Sequence, residues 1–218
     1  MVELDLTDLE LATTVKATIG NQPSVNIPHP EIKIKSVCQT CNNQWMSALE
    51  TQNRASTHAM INDDPCWLTE KDQKSLVRWA LMKAMVIESA NRKRSLFYSI
   101  EEKMQIKSDS DIPAATLVWL GRLSAKAFHA GGTDIWGDID NVPKAFHGCV
   151  TSIIVGHLVI QVLSGHVHQQ FGSYEKMGLS CKPGAWDVNL LDIWPSADRS
   201  NGRPQFLLHS KGRTTSKN

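Results

Sequence analysis

The sequence has no continuous run of about eighteen apolar residues, which is the shortest length usual for a membrane-spanning helix. Its start, Met1-Val2-Glu3-Leu4-Asp5, is acidic and lacks the basic segment and apolar stretch of a secretory signal. We therefore expect a soluble cytoplasmic protein that does not contact a membrane. Residues 1–37 contain no cysteine, and the chain has no internal repeat.

The chain also lacks an excess of charge of one sign, because its 23 Lys and Arg residues are balanced by 22 Asp and Glu residues. A strongly basic nucleic-acid binder would show a clear positive balance. Only two short segments are basic, Arg92-Lys93-Arg94 and residues 211–217. Both are typical of a solvated helix end or a chain terminus, and both permit contact with phosphate. Binding to DNA would therefore be local.

The five cysteines are too few and too scattered for a disulfide framework, and their number is odd. Two of them, Cys38 and Cys41, are three positions apart. This distribution favours a thiolate metal site or simple burial of the thiols.

Helical patterns dominate the first half of the chain. A short helix is predicted from Leu9 to Ala17, and a longer one from Asn43 to Met60, where good helix formers carry a spaced set of apolar residues. The clearest helix begins after Thr69, whose hydroxyl can cap it while Asp72 completes a capping box. It is expected to end near Ala90.

Strand-like patterns begin near Leu96 and characterise the second half, after an isolated alternating strand at residues 32–37. Residues 117–120 form one apolar run, and residues 150–155 and 158–163 form two more. Gly156-His157 separates the last two runs, which predicts a tight hairpin. Their β-branched content predicts central strands of a sheet that are covered on both faces. The class is therefore α+β, with an antiparallel, strand-rich second half.

The Cys38-x-x-Cys41 pair can direct two sulfurs at one tetrahedral zinc ion and so supply two of its four ligands. Two other interpretations exist for such a pair. It can form a reversible redox disulfide, or it can consist of two unconnected buried thiols. A redox pair usually stands at a helix start within a βαβ pattern, and no such pattern surrounds residues 38–41.

The string Val37-Cys38-Gln39-Thr40-Cys41-Asn42-Asn43-Gln44-Trp45-Met46-Ser47-Ala48-Leu49-Glu50 resembles the second knuckle of bacterial and phage HNH endonuclease-like proteins. Their pattern is close to V-C-x-x-C-N-N-G-W-M-S-x-L-E, so Gln44 departs from it where glycine is common. Residues 78–80 and 155–158 are also similar to the downstream part of these proteins. On this basis residues 1–65 are assigned to a partial knuckle region, 66–210 to an α+β domain and 211–218 to a basic tail.

The resemblance implies a ββα-metal site that hydrolyses phosphodiester bonds in DNA. Cys38 and Cys41 would hold a structural Zn²⁺, Asn42 would complete the shell of a catalytic Mg²⁺ or Mn²⁺, and a histidine would activate water. His29 is the only histidine in residues 1–37, so it is the candidate base. The alternative role for Asn42 and the adjacent Asn43 is to cap the helix N-terminus.

The first half of the family pattern, an earlier Cys-x-x-Cys and an acidic-histidine pair, is not found in residues 1–37. The chain is therefore expected to be truncated or a degenerate relative. Further zinc ligands can come from a second copy in a homodimer or from other cysteines and histidines of the chain, which are Cys66, Cys149, Cys181, His166 and His168. The alternative function is a non-catalytic zinc-binding or protein-interaction module of a phage or bacterial accessory protein.

Overall fold

The protein is described here by a computed structural model covering residues 16–19, 37–90, 96–113, 115–139, 142–167 and 191–194. Its helices are α1 (Gln39–Cys41), α2 (Ser47–Asn62), α3 (Glu70–Ala90) and α4 (Ile100–Ser108), and a π-helical turn at Asn42–Met46 joins the first two. Its strands are β1 (Lys16–Ile19), β2 (Thr116–Ile139), β3 (Val142–Val167) and β4 (Leu191–Trp194). The predicted α+β class is confirmed.

Two predicted helices are confirmed. α1, the π-helical turn and α2 follow one another without a break from Gln39 to Asn62, where one helix was expected. α3 has the predicted capping box, in which the Asp72 N–H donates to the Thr69 hydroxyl at 3.2 Å and the Thr69 N–H donates to the Asp72 carboxylate at 3.0 Å. No helix in the described ranges is long and apolar enough to cross a membrane.

Two local predictions are wrong. Lys16 and Ala17 belong to strand β1, where the end of a helix was expected, because they pair with Asp138 and Gly137 of β2. The strand pattern predicted from Leu96 onward is interrupted by helix α4, whose capping box joins Ser99 and Glu102. The rest of the predicted first helix and nearly all of the strand at residues 32–37 lie outside the described residues.

The sheet is built around β2, which pairs antiparallel with all three other strands. β3 occupies one edge of β2 along most of its length, while β1 and β4 pair with opposite ends of the other edge. α2 and α3 pack on one face, where they share one apolar core with the sheet. Since Met46 and Leu49 belong to the same core as Leu76 and Ile160, the predicted division at residues 65 and 66 crosses a shared core.

The predicted hairpin at Gly156-His157 is wrong, because residues 142–167 form the single strand β3. Gly156 has a φ of 60° and lies at a bulge, where four residues of β2, 123–126, face His157 alone. The bulge changes the side-chain phase of β3: Cys149 and Ile153 face the helices before it, and Leu158 and Ile160 face them after it. The positions of β3 that face the helices thus shift by one residue at a glycine. In a sequence, a hairpin turn gives the same pattern.

Buried side chains occupy both faces of β3, as its composition predicted. The central position expected for it is wrong, because among the described strands β3 pairs with β2 alone and lies at the edge of the sheet. Ile160 and Val162 face the helices, and Val159 and Leu163 are buried on the opposite face. The buried apolar residues of this second face continue into β2 with Leu117 and Trp119.

An ion pair fixes the bulge to the end of α2. Arg122, the last β2 residue before the bulge, donates through Nε and Nη2 to the two carboxylate oxygens of Asp63. His157 Nδ1 lies 2.8 Å from the Leu123 carbonyl oxygen across the bulge. Asp63 is also the C-terminal cap of α2, so the same residue ends the helix and holds the strand.

Because of the Arg122–Asp63 ion pair, we expect the protein to lose stability in acid. The hydrogen bonds from Arg122 lower the pKa of the Asp63 carboxyl. The ion pair therefore contributes its full free energy of stabilisation above the ordinary Asp pKa of about 4, and this contribution is lost as the pH falls through the lowered pKa. We expect the stability advantage of the native chain over Asp63→Asn to be full at neutral pH and to shrink below about pH 4. Urea unfolding of both proteins across this range measures it, and a constant difference would contradict the assignment.

Candidate metal site at the Cys38–Cys41 turn

Cys38 and Cys41 lie at the two ends of the short helix α1. Cys38 has extended backbone angles and is the N-cap of α1, and its Sγ accepts a hydrogen bond from the Cys41 N–H at 3.3 Å. The Cys38 carbonyl oxygen accepts from the Asn42 N–H at 3.0 Å. The backbone thus turns around the Cys38 sulfur and directs an N–H at it.

This geometry favours the thiolate form of Cys38. The hydrogen bond from the Cys41 N–H lowers the pKa of the exposed Cys38 thiol, and the positive charge of Lys107 adds a smaller lowering. A thiolate is the form that binds zinc and also the form that attacks disulfides. The turn therefore fits a metal ligand or a redox thiol, and its position at a helix start is typical of both.

Packing holds the second cysteine and the following turn in place. Cys41 and Trp45 are half-buried against the core, and Met46 and Leu49 are inside it. Cys38 is exposed, so one sulfur faces solvent from an anchored segment. The structure contains no disulfide between the two. Of the two cysteines, only Cys41 is therefore held by packing against the core.

Asn42 lies within the helix, so the interpretation of Asn42 and Asn43 as N-caps is wrong. The capping position is occupied by Cys38, and both asparagines belong to the π-helical turn. Asn42 is exposed, and its Nδ2 donates to the Asn43 Oδ1 at 3.3 Å. Gln44, the departure from the family pattern, is also an exposed residue of this turn.

The other candidate ligands do not converge on this turn within the described residues. Cys66 and Cys149 are buried, and burial raises the pKa of the Cys66 thiol, as expected of a small core residue. His166 Nε2 lies 2.8 Å from Glu102 Oε1. His29, His168 and Cys181 lie outside the described residues. Across the described ranges no three His, Cys, Asp or Glu side chains are grouped as a metal site.

Helix α4 carries two charged residues whose roles were not predicted from the sequence, Lys107 and Glu102. Its last turn brings the charge of Lys107 towards Cys38, and its first turn brings Glu102 to His166. Burial raises the pKa of the Glu102 carboxyl, but hydrogen bonds from His166 and from the Ser99 N–H lower it below its ordinary value. The signal that predicts α4 is the Ser99-x-x-Glu102 capping box.

Comparison with known proteins gives no match: no protein-family model, curated protein or solved structure matches this chain. The resemblance of residues 37–50 to HNH endonuclease-like proteins therefore stays a prediction from the sequence.

Proposed function

We propose that this chain is an HNH endonuclease-like protein, which hydrolyses phosphodiester bonds in DNA or descends from enzymes that did. The observation that carries the proposal is the turn at Cys38 and Cys41, where a backbone N–H directed at the first sulfur stabilises a thiolate. The exposed Asn42 that follows supports it, because helix capping does not explain this residue.

The donor set fits half of a structural zinc shell. Cys38 and Cys41 would supply two thiolates, and two further ligands would come from outside the described residues or from a second copy of the chain. Asn42 would offer its side-chain oxygen to a separate divalent ion, Mg²⁺ or Mn²⁺. Such an ion stabilises charge that develops on a scissile phosphate. His29 remains the candidate for the base.

Zinc content and plasmid cleavage, measured on the same preparations, test the proposal. We expect one zinc per chain, or one per two chains if a dimer shares the ion, and loss of this zinc in Cys38→Ser. Cys66→Ala, which removes a buried thiol elsewhere, is expected to keep it. Cleavage with Mg²⁺ or Mn²⁺ is expected to fall to background in Asn42→Ala but not in Asn43→Ala, the neighbouring exposed asparagine.

The outcomes separate the candidate functions. Zinc without any cleavage would remove the hydrolase and support the non-catalytic zinc module. A reversible Cys38–Cys41 disulfide without bound zinc would support a redox protein instead. No zinc and unchanged stability of Cys38→Ser would contradict both metal interpretations.

A further inference from the structure

A cavity of about 440 Å³ opens between the first turns of α3 and the end of strand β4. This volume is within the range of small-molecule sites, roughly 300 to 1,000 Å³. The cavity is lined by four polar and two apolar residues, which are Glu70, Lys71, Gln73, Lys74, Ile193 and Trp194. None of them belongs to the Cys38–Cys41 turn.

Trp194 gives this cavity a rigid aromatic wall. It pairs with Val118 of β2, and its neighbour Ile193 is fully buried. The indole is half-buried and packs against the core, so it also lines the cavity from a fixed position. A fixed aromatic surface loses little conformational freedom when a planar ligand stacks on it.

Two lysines supply positive charge at the same cavity. Lys71 and Lys74 are three positions apart on α3 and so share one side of the helix. Both are exposed, and neither forms an ion pair in the part of the chain that the structure describes. Glu70 adds an acceptor for amino or hydroxyl groups, while Gln73 is buried and donates to the Leu68 carbonyl oxygen at 3.3 Å.

We infer that this cavity binds an unpaired nucleotide, with the base stacked on Trp194 and the phosphate at Lys71 and Lys74. Aromatic side chains beside cationic groups are the usual means of binding single-stranded nucleic acid. Duplex DNA fits less well, because its bases are already stacked on one another. The inference extends the proposed function by specifying single-stranded DNA, but the binding requires neither zinc nor cleavage.

Fluorescence anisotropy of a labelled oligothymidylate of about 12 nucleotides tests this inference on the full chain. Trp194→Leu is expected to weaken binding about tenfold, the effect of losing one stacked base. Trp67→Leu, which removes a tryptophan that is 58% exposed but does not line the cavity, is expected to leave binding unchanged.

A pair of lysine variants gives a test that does not disturb the core. Lys71→Gln/Lys74→Gln is expected to weaken binding and to reduce the slope of log affinity against log salt by about 1.4, for two lost phosphate contacts on a single strand. Lys103→Gln/Lys126→Gln makes the same change in net charge away from the cavity and is expected to leave the slope unchanged.

Competition distinguishes the source of the nucleotide. Displacement of the oligonucleotide by thymidine monophosphate at a similar concentration would assign the cavity to free nucleotides, while much weaker displacement would assign it to a strand. Preference for duplex DNA, no binding, or equal losses in the two double-lysine variants would overturn the inference. Zinc binding and cleavage are measured separately, so a failure here leaves the proposed function standing.

Discussion

Replacement of Gly156 by alanine is expected to lower the free energy of unfolding by about 3 kcal/mol. Two costs add at this position. A φ of 60° costs a residue with a Cβ about 1–2 kcal/mol, and overpacking of a dense core typically costs about 1–3 kcal/mol. The added Cβ would overlap the Ile61 carbonyl oxygen and come within 2.9 Å of the Ile61 Cγ2. Backbone on both sides of the contact leaves little room for relief.

Urea unfolding measures this loss, and Gly148→Ala is the matched control. The atoms nearest to a Cβ at Gly148 would be side-chain atoms of Ile135 and Phe146, and Gly148 is not among the described glycines with positive φ. Gly148→Ala therefore carries a cost of crowding without the cost of a positive φ, and a smaller loss is expected. Equal losses in the two variants would show that crowding alone, and not the conformation of the bulge, determines the cost.

Removal of the Glu88 carboxylate is expected to destabilise the protein by about 2–4 kcal/mol. Glu88 is 3% exposed near the end of α3, and its Oε1 accepts hydrogen bonds from the Phe97 and Tyr98 N–H groups. Glu88→Ala leaves these two buried donors without their acceptor, and each unsatisfied donor costs about 1–3 kcal/mol. It also leaves a space in the core.

Glu88→Gln is the control, because its amide keeps an acceptor oxygen of similar size. Urea unfolding should show a clearly smaller loss for Glu88→Gln than for Glu88→Ala. Since Phe97 stacks on His166 at 4.2 Å, and Ser99 caps α4, loosening of this segment should also disturb the position of that helix. Equal losses for Glu88→Ala and Glu88→Gln would contradict the hydrogen-bond explanation.

Local signals predicted the helices well where the cap and the apolar spacing agreed. Thr69 and Asp72 are three positions apart, so their capping box is visible in sequence and fixes where α3 begins. The same signal at Ser99 and Glu102 was missed, since the apolar runs that follow Leu96 suggested strands. The pattern at Gly156-His157 was wrongly interpreted as a turn. A bulge and a turn both place a glycine where the alternation of inward and outward side chains shifts by one residue.

The helix that begins at the cysteine pair was predictable because its parts are close in the chain, while metal binding there stays a prediction. The spacing of Cys38 and Cys41 allows the N–H of one to reach the sulfur of the other within a single helical turn. The charge of Lys107, by contrast, acts on Cys38 across 69 positions of sequence. The cavity brings Lys71 and Lys74 to Trp194 across more than 100 positions, which no local pattern encodes.

The sequence by itself therefore determined the class of the fold, the start of α3 and the thiol pair, because each depends on residues within a few positions of one another. Only the tertiary structure decided what surrounds that pair, since the approach of α4 depends on packing and on the Glu102–His166 contact. It also decided that β3 is one strand, because its pairing with β2 continues past the bulge at Gly156, where the chain lies against Ile61 of α2. The resemblance of residues 37–50 to HNH endonuclease-like proteins is also a prediction from neighbouring residues, and the zinc and cleavage measurements test it.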